Sequence, residues 1–496
     1  MRKVKIFLLI IFLLSIPTFF RMIRPGIYSM QDFHYFRLFE FDKCIKALQI
    51  PCRWAPDAGL SYGEPLFNFY TQIPYAVGEV IHLVGLQLVD SLKITFILSL
   101  VLSGVTMFLL SRKLWKSDLG GLVSAVFYIY APYRAVDVWV RGALPEAFSF
   151  IFFPLVILFF EKIIEGKSKR NYLWFSLSLS LTLLNHNLSL VLFAPFLVIW
   201  IIYRIIEFRK WKIIPGLICS IIGSLLLSSF YILPVVFESK YIDLESTTKG
   251  YFDFRAHFDT IYQTLFSRFW GYGGSTWGPE DGLNLSVGLL QWILPVLLIV
   301  FSFLTKKKTV WRNLLVITAI GWFCLFMTHN KSAFLWEAFK PLRFMQFPWR
   351  FLGQAVFAFS LSVGAIPLIF NKSKAVIVSF LVIILVTGLT ITFFREDIWY
   401  NYDDFNLTTG KIFEEQTKAS IGDYWPQFGH KIPDKPSEGR YINYFPGWNY
   451  TPDKNGLITS EGAIFTDTPV RRIGNVVSLV SLVGLLFLYF KFKNEK

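Results

Sequence analysis

Long apolar runs alternate along this chain with short basic turns and much longer polar segments. A helix crosses a bilayer with about 17–25 mostly apolar residues. On that criterion the pattern predicts twelve spans, near 6–23, 92–111, 119–136, 147–164, 172–187, 188–205, 213–236, 286–304, 313–328, 349–370, 375–394 and 473–490. The third breaks at Pro132, and the fifth is short and serine-rich before Asn185-His186-Asn187. The opening Met-Arg-Lys-Val-Lys and Ile6–Phe20 have the form of a signal peptide, but no small-x-small cleavage site follows, so the segment reads as an anchor. Segment 66–89 is apolar as well. Counting it as a span would invert the charge bias of several later loops, so it reads as a helix lying in the outer interface, where Phe67, Phe69, Tyr70 and Tyr75 suit the headgroup zone. Segment 395–472 is rich in Tyr, Trp, Gly, Pro and Asp, with short runs such as Arg440–Phe445 broken by Pro446-Gly447. It reads as a few β-strands with turns. The expected fold is an all-α polytopic membrane protein. It has a transmembrane module over 1–394 with a first extracytoplasmic loop at 21–91, a small β-containing extracytoplasmic domain at 395–472, and a last helix and tail at 473–496.

Composition agrees with this pattern. Of 496 residues 54% are apolar and only 17% charged, against roughly 25% charged in soluble domains, which excludes a cytosolic enzyme. The apolar content excludes disorder, and four Cys exclude a disulfide scaffold. Charge then sets the orientation. With a cytoplasmic N-terminus the inside segments are 1–5, 112–118, 161–171, 204–212, 305–312, 371–374 and 491–496. They hold 23 of the 49 Lys and Arg but 5 of the 34 acids, which makes them +18 and the remainder −3. The net +15 is therefore positive-inside bias, and no nucleic-acid partner is needed to explain it. Both termini are expected in the cytoplasm of a multi-pass cell-membrane protein.

The loop mass lies outside, and chemistry tends to sit on loops held by a rigid scaffold. Asp32-Phe33-His34-Tyr35-Phe36-Arg37 follows span one closely. A carboxylate at a membrane mouth is costly unless paired or used. Asp32 could take a proton from an acceptor hydroxyl while His34 or Arg37 meets a phosphate, or the group is a solvated salt bridge. On a helix Asp32 and Arg37 would be only near neighbours. Arg53 and Glu64 follow in the same loop, and Arg134, Asp137, Arg141 and Glu146 cluster at the exit of span three. His186 is either a ligand or a hydrogen-bonded structural residue. Arg343 and Arg350 stand among aromatics before span ten, where a guanidinium could grip an anionic headgroup or merely snorkel. The glycine-rich loop Gly271–Gly282 lacks the Lys-Ser/Thr ending of a nucleotide loop. Cys44 and Cys52 could pair, although free thiols are the expectation, and no Cys/His set has zinc spacing.

Several motifs occur in a distinctive order. They are Asp32-x-His34-x-x-Arg37, Pro51-x-Arg53-Trp54-Ala55-Pro56, Gly63-x-Pro65-Leu66-Phe67-Asn68-Phe69-Tyr70, Ala131-Pro132-Tyr133-Arg134 with Arg141-Gly142-Ala143, His186-Asn187-Leu188 and Gln346-Phe347-Pro348-Trp349-Arg350. Phe445-Pro446-Gly447-Trp448 and Thr466–Arg471 precede the last span. Together they resemble a prokaryotic group of membrane proteins labelled 6-pyruvoyl-tetrahydropterin synthase-related, although nothing here resembles the soluble pterin enzyme. The architecture looks like that of the GT-C superfamily, similar to protein O-mannosyltransferases and oligosaccharyltransferase catalytic subunits. The resemblance implies a glycosyltransferase that uses a polyprenyl-phosphate-linked sugar outside the membrane and a saccharide, lipid or protein acceptor. It implies Asp32 and His34 as catalytic, Arg37, Arg141 and Arg350 on the donor phosphate, and Arg53, Glu64, Arg134, Asp137, Glu146 and His186 around the substrates. Some such enzymes use a divalent metal (Mg or Mn) and others none. The usual paired acids are missing here, since Gln31 and Phe33 flank Asp32, though His34 and Glu64 could supply ligands. The alternative is a transporter or flippase of lipid-linked saccharides.

Overall fold

The computed structural model describes residues 2–166, 168–420, 424–428 and 433–492. Its longer helices are α1 (Arg2–Phe19), α2 (His34–Lys46), α3 (Ile73–Leu83), α4 (Leu88–Trp115), α5 (Asp118–Ile129), α6 (Leu144–Glu165), α7 (Arg170–Asn185) and α8 (Asn187–Phe208). They continue with α9 (Ile214–Leu227), α10 (Ser229–Glu238), α11 (Leu289–Leu304), α12 (Lys308–Thr328), α13 (Leu352–Val363), α14 (Lys372–Thr390), α15 (Gly410–Ala419) and α16 (Pro469–Lys491). The fold is all-α and polytopic, with two short two-stranded sheets among the described residues.

Each of the twelve predicted spans falls on a helix, but the helices are unequal. Eight are long and apolar enough to cross a membrane, and Trp211–Leu227 with Ser229–Tyr241, bent by 73°, makes a ninth if taken as one span. The other three, α5, α7 and α11, have 12, 16 and 16 residues. Helix α5 ends early because Pro132 opens a new turn, which runs into a π-helical turn at Val136–Val140. Lipid contact is legible in α14 and α16, where Ile377, Leu381, Ile384, Val476, Val480 and Phe487 are exposed.

The core lies where α4, α5, α6 and α13 meet. Close packing without a hydrophobic driving force between helices favours small residues and aromatic contact. A Cβ on Gly120 would stand 2.2 Å from the Gly364 carbonyl, so only glycine permits that approach. Phe153 stacks on Phe193 at 4.5 Å, and Phe196 meets Phe357 edge-on at 4.8 Å. The indole of Trp115 donates to the Leu361 carbonyl at 2.7 Å.

Outside the bundle, segment 395–472 is spread over the first loop. Strand β1 (Ile27–Tyr28) pairs antiparallel with β2 (Trp399–Tyr400). The Asp404 carboxylate accepts from the Leu88 and Val89 N–H groups and so closes the start of α4. Trp54 packs on Trp448 and Phe465 at 5.2 and 5.4 Å, and Phe413 of α15 meets Phe36 and Phe39. Among the described residues of this segment the strands are β2 and the antiparallel pair β3 (Tyr441–Asn443) and β4 (Leu457–Thr459). The aromatics of this segment serve contact with the first loop more than strand pairing.

Three further expectations are corrected. The longest helix that starts within segment 66–89 and ends there, α3, has 11 residues and is too short to span a bilayer, but Phe67 and Tyr75 are buried against Phe41 of α2 and Phe69 against Phe445, and Val80, Leu83 and Val84 are the exposed residues. Cys44 and Cys52 are disulfide-bonded, because α2 and the turn after it bring their Cα atoms to 5.7 Å. Asp32 precedes α2 and does not ride on it, so Arg37 reaches back to it directly.

The start of α16 is fixed by a buried ion pair. Arg471 donates from Nε to Glu238 at 2.9 Å, with neither side chain exposed above 3%. Removing one partner of such a pair strands the other charge, at a cost of about 3–5 kcal/mol. Arg471→Met is expected to lower the unfolding free energy of the solubilised protein by that amount. Adding Glu238→Met should recover most of it, and a double variant as unstable as the single one contradicts this account.

Candidate functional site

Two clusters of ionisable side chains meet at the end of the bundle that carries the first loop. In the first, Arg37 lies between the rings of Phe33 and Tyr70, 4.5 Å from each centroid, and donates to Asp32 Oδ1 at 2.6 Å. It also donates to the Tyr70 hydroxyl at 3.3 Å. Asp32 accepts the Phe33 N–H, and its side chain is 31% exposed, whereas His34 is fully buried. His34 Nε2 has two neighbours with opposite demands. The Leu144 N–H at 3.2 Å needs a lone pair, and Asp32 Oδ2 at 3.1 Å needs a proton. On the other side, Nδ1 lies 2.6 Å from the Tyr75 hydroxyl, which gives or accepts a hydrogen and so suits either tautomer.

The second cluster surrounds Arg141. Its guanidinium pairs with Asp137 and, at 2.9 Å, with Glu146 Oε2, and it lies 4.5 Å over the Trp349 ring. Tyr133 donates to the other Glu146 oxygen. Arg350 approaches the same Oε2 at 3.8 Å through Nε and donates from its other end to the Met345 carbonyl. His186, held by Ser189 at 2.6 Å, is within electrostatic reach of Glu146, Arg141 and Arg350. The chain turns sharply at Gly142, at φ +64°, where a Cβ would strike Met30 two residues before Asp32. That turn brings α6 to His34.

The sequence therefore brings together Asp32, His34 and Arg37 in one cluster and Asp137, Arg141, Glu146, His186 and Arg350 in the other. The Leu144 N–H to His34 contact links the two. The remaining candidates lie elsewhere. Arg53 is spent on Asn68, the Phe230 carbonyl and Asn475, with Asp467 at 3.8 Å, and ties the first loop to α16. Arg134 donates to the Ala147 and Ser99 carbonyls and lies 4.0 Å over Phe150, inside the helix junction. Glu64 is buried against Gly59, its backbone paired with Ala55. Residues that the ionisable pattern misses are Tyr70, Tyr75, Tyr133 and Trp349, which orient the charges. The glycine-rich loop is a bridge over both clusters. Gln31 donates to the Gly273 carbonyl at 2.7 Å, and Ser275 accepts from the Trp349 indole at 3.2 Å.

The family model described as "Bacterial membrane protein YfhO" matches residues 60–412. The chain belongs to this family. The YfhO match covers the Arg141 cluster, Tyr70 and Tyr75, while Asp32, His34 and Arg37 lie ahead of it. An uncharacterized protein of Lactococcus lactis subsp. cremoris is 22% identical over 322 residues, which is 61% of this chain and 50% of that relative. The chain thus spans about half the length of the curated relative it matches.

A divalent metal does not fit the donors of this YfhO-family chain. Arg37 takes one Asp32 oxygen and His34 faces the other, both His34 nitrogens have neighbours, and Glu64 lies outside the cluster. Among the described residues no three His, Cys, Asp or Glu groups converge as a metal set.

Burial pulls His34 below its ordinary value of 6.5, against the charge of Asp32. Burial would raise the Asp32 carboxyl from 3.8, but Arg37 and His34 together outweigh it and hold the group well below the carboxylate range. In both cases the unfolded chain binds more protons, so stability falls as pH falls. The His34 contribution is full above 6.5 and is lost below it, and that of Asp32 is lost below 3.8. The melting temperature of the solubilised protein is therefore expected to drop between about pH 7.5 and 5.5, and His34→Gln should flatten part of that slope. An unchanged slope in the variant would remove His34 from the explanation.

Proposed function

We propose that this YfhO-family protein is a GT-C-type membrane glycosyltransferase that moves a sugar from a polyprenyl-phosphate donor to an acceptor outside the cytoplasm. The observation that carries the reading is the junction at the outer mouth, where a partly exposed carboxylate and a cluster of guanidiniums are joined through one imidazole. The Cys44–Cys52 disulfide supports the extracytoplasmic side for this loop, because disulfides persist in oxidising compartments. It agrees with the positive-inside count and cytoplasmic termini. Kinship with the group labelled 6-pyruvoyl-tetrahydropterin synthase-related belongs to the same reading.

The chemistry is direct substitution at the anomeric carbon. The acceptor hydroxyl hydrogen-bonds to Asp32, which stays ionised beside the Arg37 guanidinium. As the new C–O bond forms, the anomeric C–O bond to the donor phosphate breaks, polyprenyl phosphate leaves with the electron pair, and Asp32 takes the hydroxyl proton. Neutral His34 at 3.1 Å shares it, exchanging its Leu144 hydrogen bond for one to Asp32. On the donor side Arg350 is the better phosphate ligand. It is less committed than Arg141, since its approach to Glu146 is 3.8 Å against 2.9 Å. Arg141 is held by Asp137 and Glu146 and sets the field around the leaving phosphate. Arg37, sandwiched and paired, acts mainly on Asp32. Asp137, Glu146 and His186 line the donor side, whereas Arg53, Glu64 and Arg134 hold the scaffold.

Reconstituted protein is to be assayed against a panel of polyprenyl-phosphate sugars by release of polyprenyl phosphate. Asp32→Asn should lose at least about 100-fold in rate, within the range of general-base contributions, while still inserting into the membrane and melting lower than the wild type, because Arg37 loses its carboxylate. Near-normal turnover in that variant excludes the mechanism. Arg350→Ala should raise the donor KM more than Arg350→Lys, which keeps the charge but not the fork. Equal KM values in the two variants exclude Arg350 from the phosphate.

A further inference from the structure

Helix α6 carries Glu146 near its first turn and Lys162 and Glu165 in its last, about 30 Å apart at 1.5 Å per residue. At that far end it meets the last turn of α4 and the first turn of α5, and a cavity of about 450 Å³ opens between them. That volume lies within the roughly 300–1,000 Å³ of small-ligand sites. Arg112 pairs with Asp118 and Lys113 with Glu165, which fixes two walls. Lys116 and Lys162 also line the cavity, and among the described residues neither has an ion-pair partner. Lys162 is half-buried, with its ammonium 4.6 Å from the Phe159 ring. Leu109 and Leu158 supply the apolar part of the lining.

We propose that this cavity binds the phosphate headgroup of an anionic phospholipid in the leaflet opposite the Asp32 cluster. Positive-inside bias alone asks for basic residues on that face, not for their convergence on a hollow. Four cations against two acids leave the lining at +2, and a phosphodiester between Lys116 and Lys162 reduces it. Lysine binds phosphate as a point charge, without the fixed fork of arginine, and basic pockets between helices on the cytoplasmic side are suited to lipid headgroups. Leu109 and Leu158 direct the rest of the ligand along the helices into the acyl region, which favours a lipid over a free phosphate compound. The proposal does not depend on the transferase reading.

The test uses the full-length protein in neutral detergent, titrated with phosphatidylglycerol, phosphatidylcholine or inorganic phosphate and read by native mass spectrometry and melting temperature. Wild type should retain phosphatidylglycerol adducts and melt higher with that lipid, and respond to neither of the other two. Lys116→Gln/Lys162→Gln should lose most of the adduct while its melting temperature in phosphatidylcholine stays that of the wild type. Should the double variant fold poorly, Lys116→Gln alone, at an exposed position, should still lose part of the adduct. Undiminished phosphatidylglycerol binding in the variants overturns the proposal, as does an equal response to inorganic phosphate, which would make the ligand a small soluble anion.

Discussion

Most of the guanidiniums this protein removes from water stand beside a carboxylate, Arg134 on its carbonyls and the Phe150 ring being the exception, and that pairing organises the end of the bundle that carries the first loop. Arg37 has Asp32, Arg141 has Asp137 and Glu146, Arg471 has Glu238, and Arg53 has Asp467 at longer range. Breaking one of these pairs costs more than forming it gains, so each fixes the loop that carries it. Arg53 and Arg471 sit at the junction of the first loop, α10 and α16; Arg471 donates from all three of its nitrogens, and Arg53 from both of its terminal ones. Arg37, Arg141 and Arg350 lie at the mouth. There Arg37 and Arg141 are closely paired, Arg350 stands 3.8 Å from Glu146, and the Asp32 carboxylate remains partly open to solvent. The same physics therefore yields rivets in one place and a partly open charged junction in another.

The spans were legible because a continuous apolar run has few alternatives in a chain this poor in charge. The short members were legible as helices but not as lengths. Periodicity does not say that the turn at Pro132 and the π-helical turn after it will take over the end of α5. Within the mouth, the grouping of Arg141 with Glu146 follows from neighbours at i and i+5 around a glycine turn. The Asp32–Arg37 contact does not, because it depends on α2 starting at His34. Arg53, Glu64 and Arg134 carry the same local signature as the clustered residues, an ionisable group among aromatics. Only the tertiary structure separates a guanidinium that packs from one that faces a ligand. The aromatic-rich segment 395–472 misled in the same way. Tyr and Trp favour strands, yet here they are largely used as contact surface.

The glycine-rich loop was set aside in the sequence for lacking a nucleotide signature, and its value is geometric. By holding Gln31 at one end and Trp349 at the other, it sets the spacing between the carboxylate and the guanidinium sides of the mouth. The tyrosines act similarly on each side. Tyr70 and Tyr75 fix Arg37 and His34, and Tyr133 fixes Glu146.

The pairing of Ile27 with Tyr400 and the packing of Trp54 on Trp448 join parts of the chain separated by about three quarters of its length. Contacts of that separation form late, since the loop between them must close first. During synthesis, the aromatic underside of the opening segment stays uncovered until almost every helix has been threaded into the bilayer. A ribosome that stalls before residue 400 would release a product whose bundle is inserted but whose exterior is bare. Such a nascent chain is well marked for quality-control proteolysis.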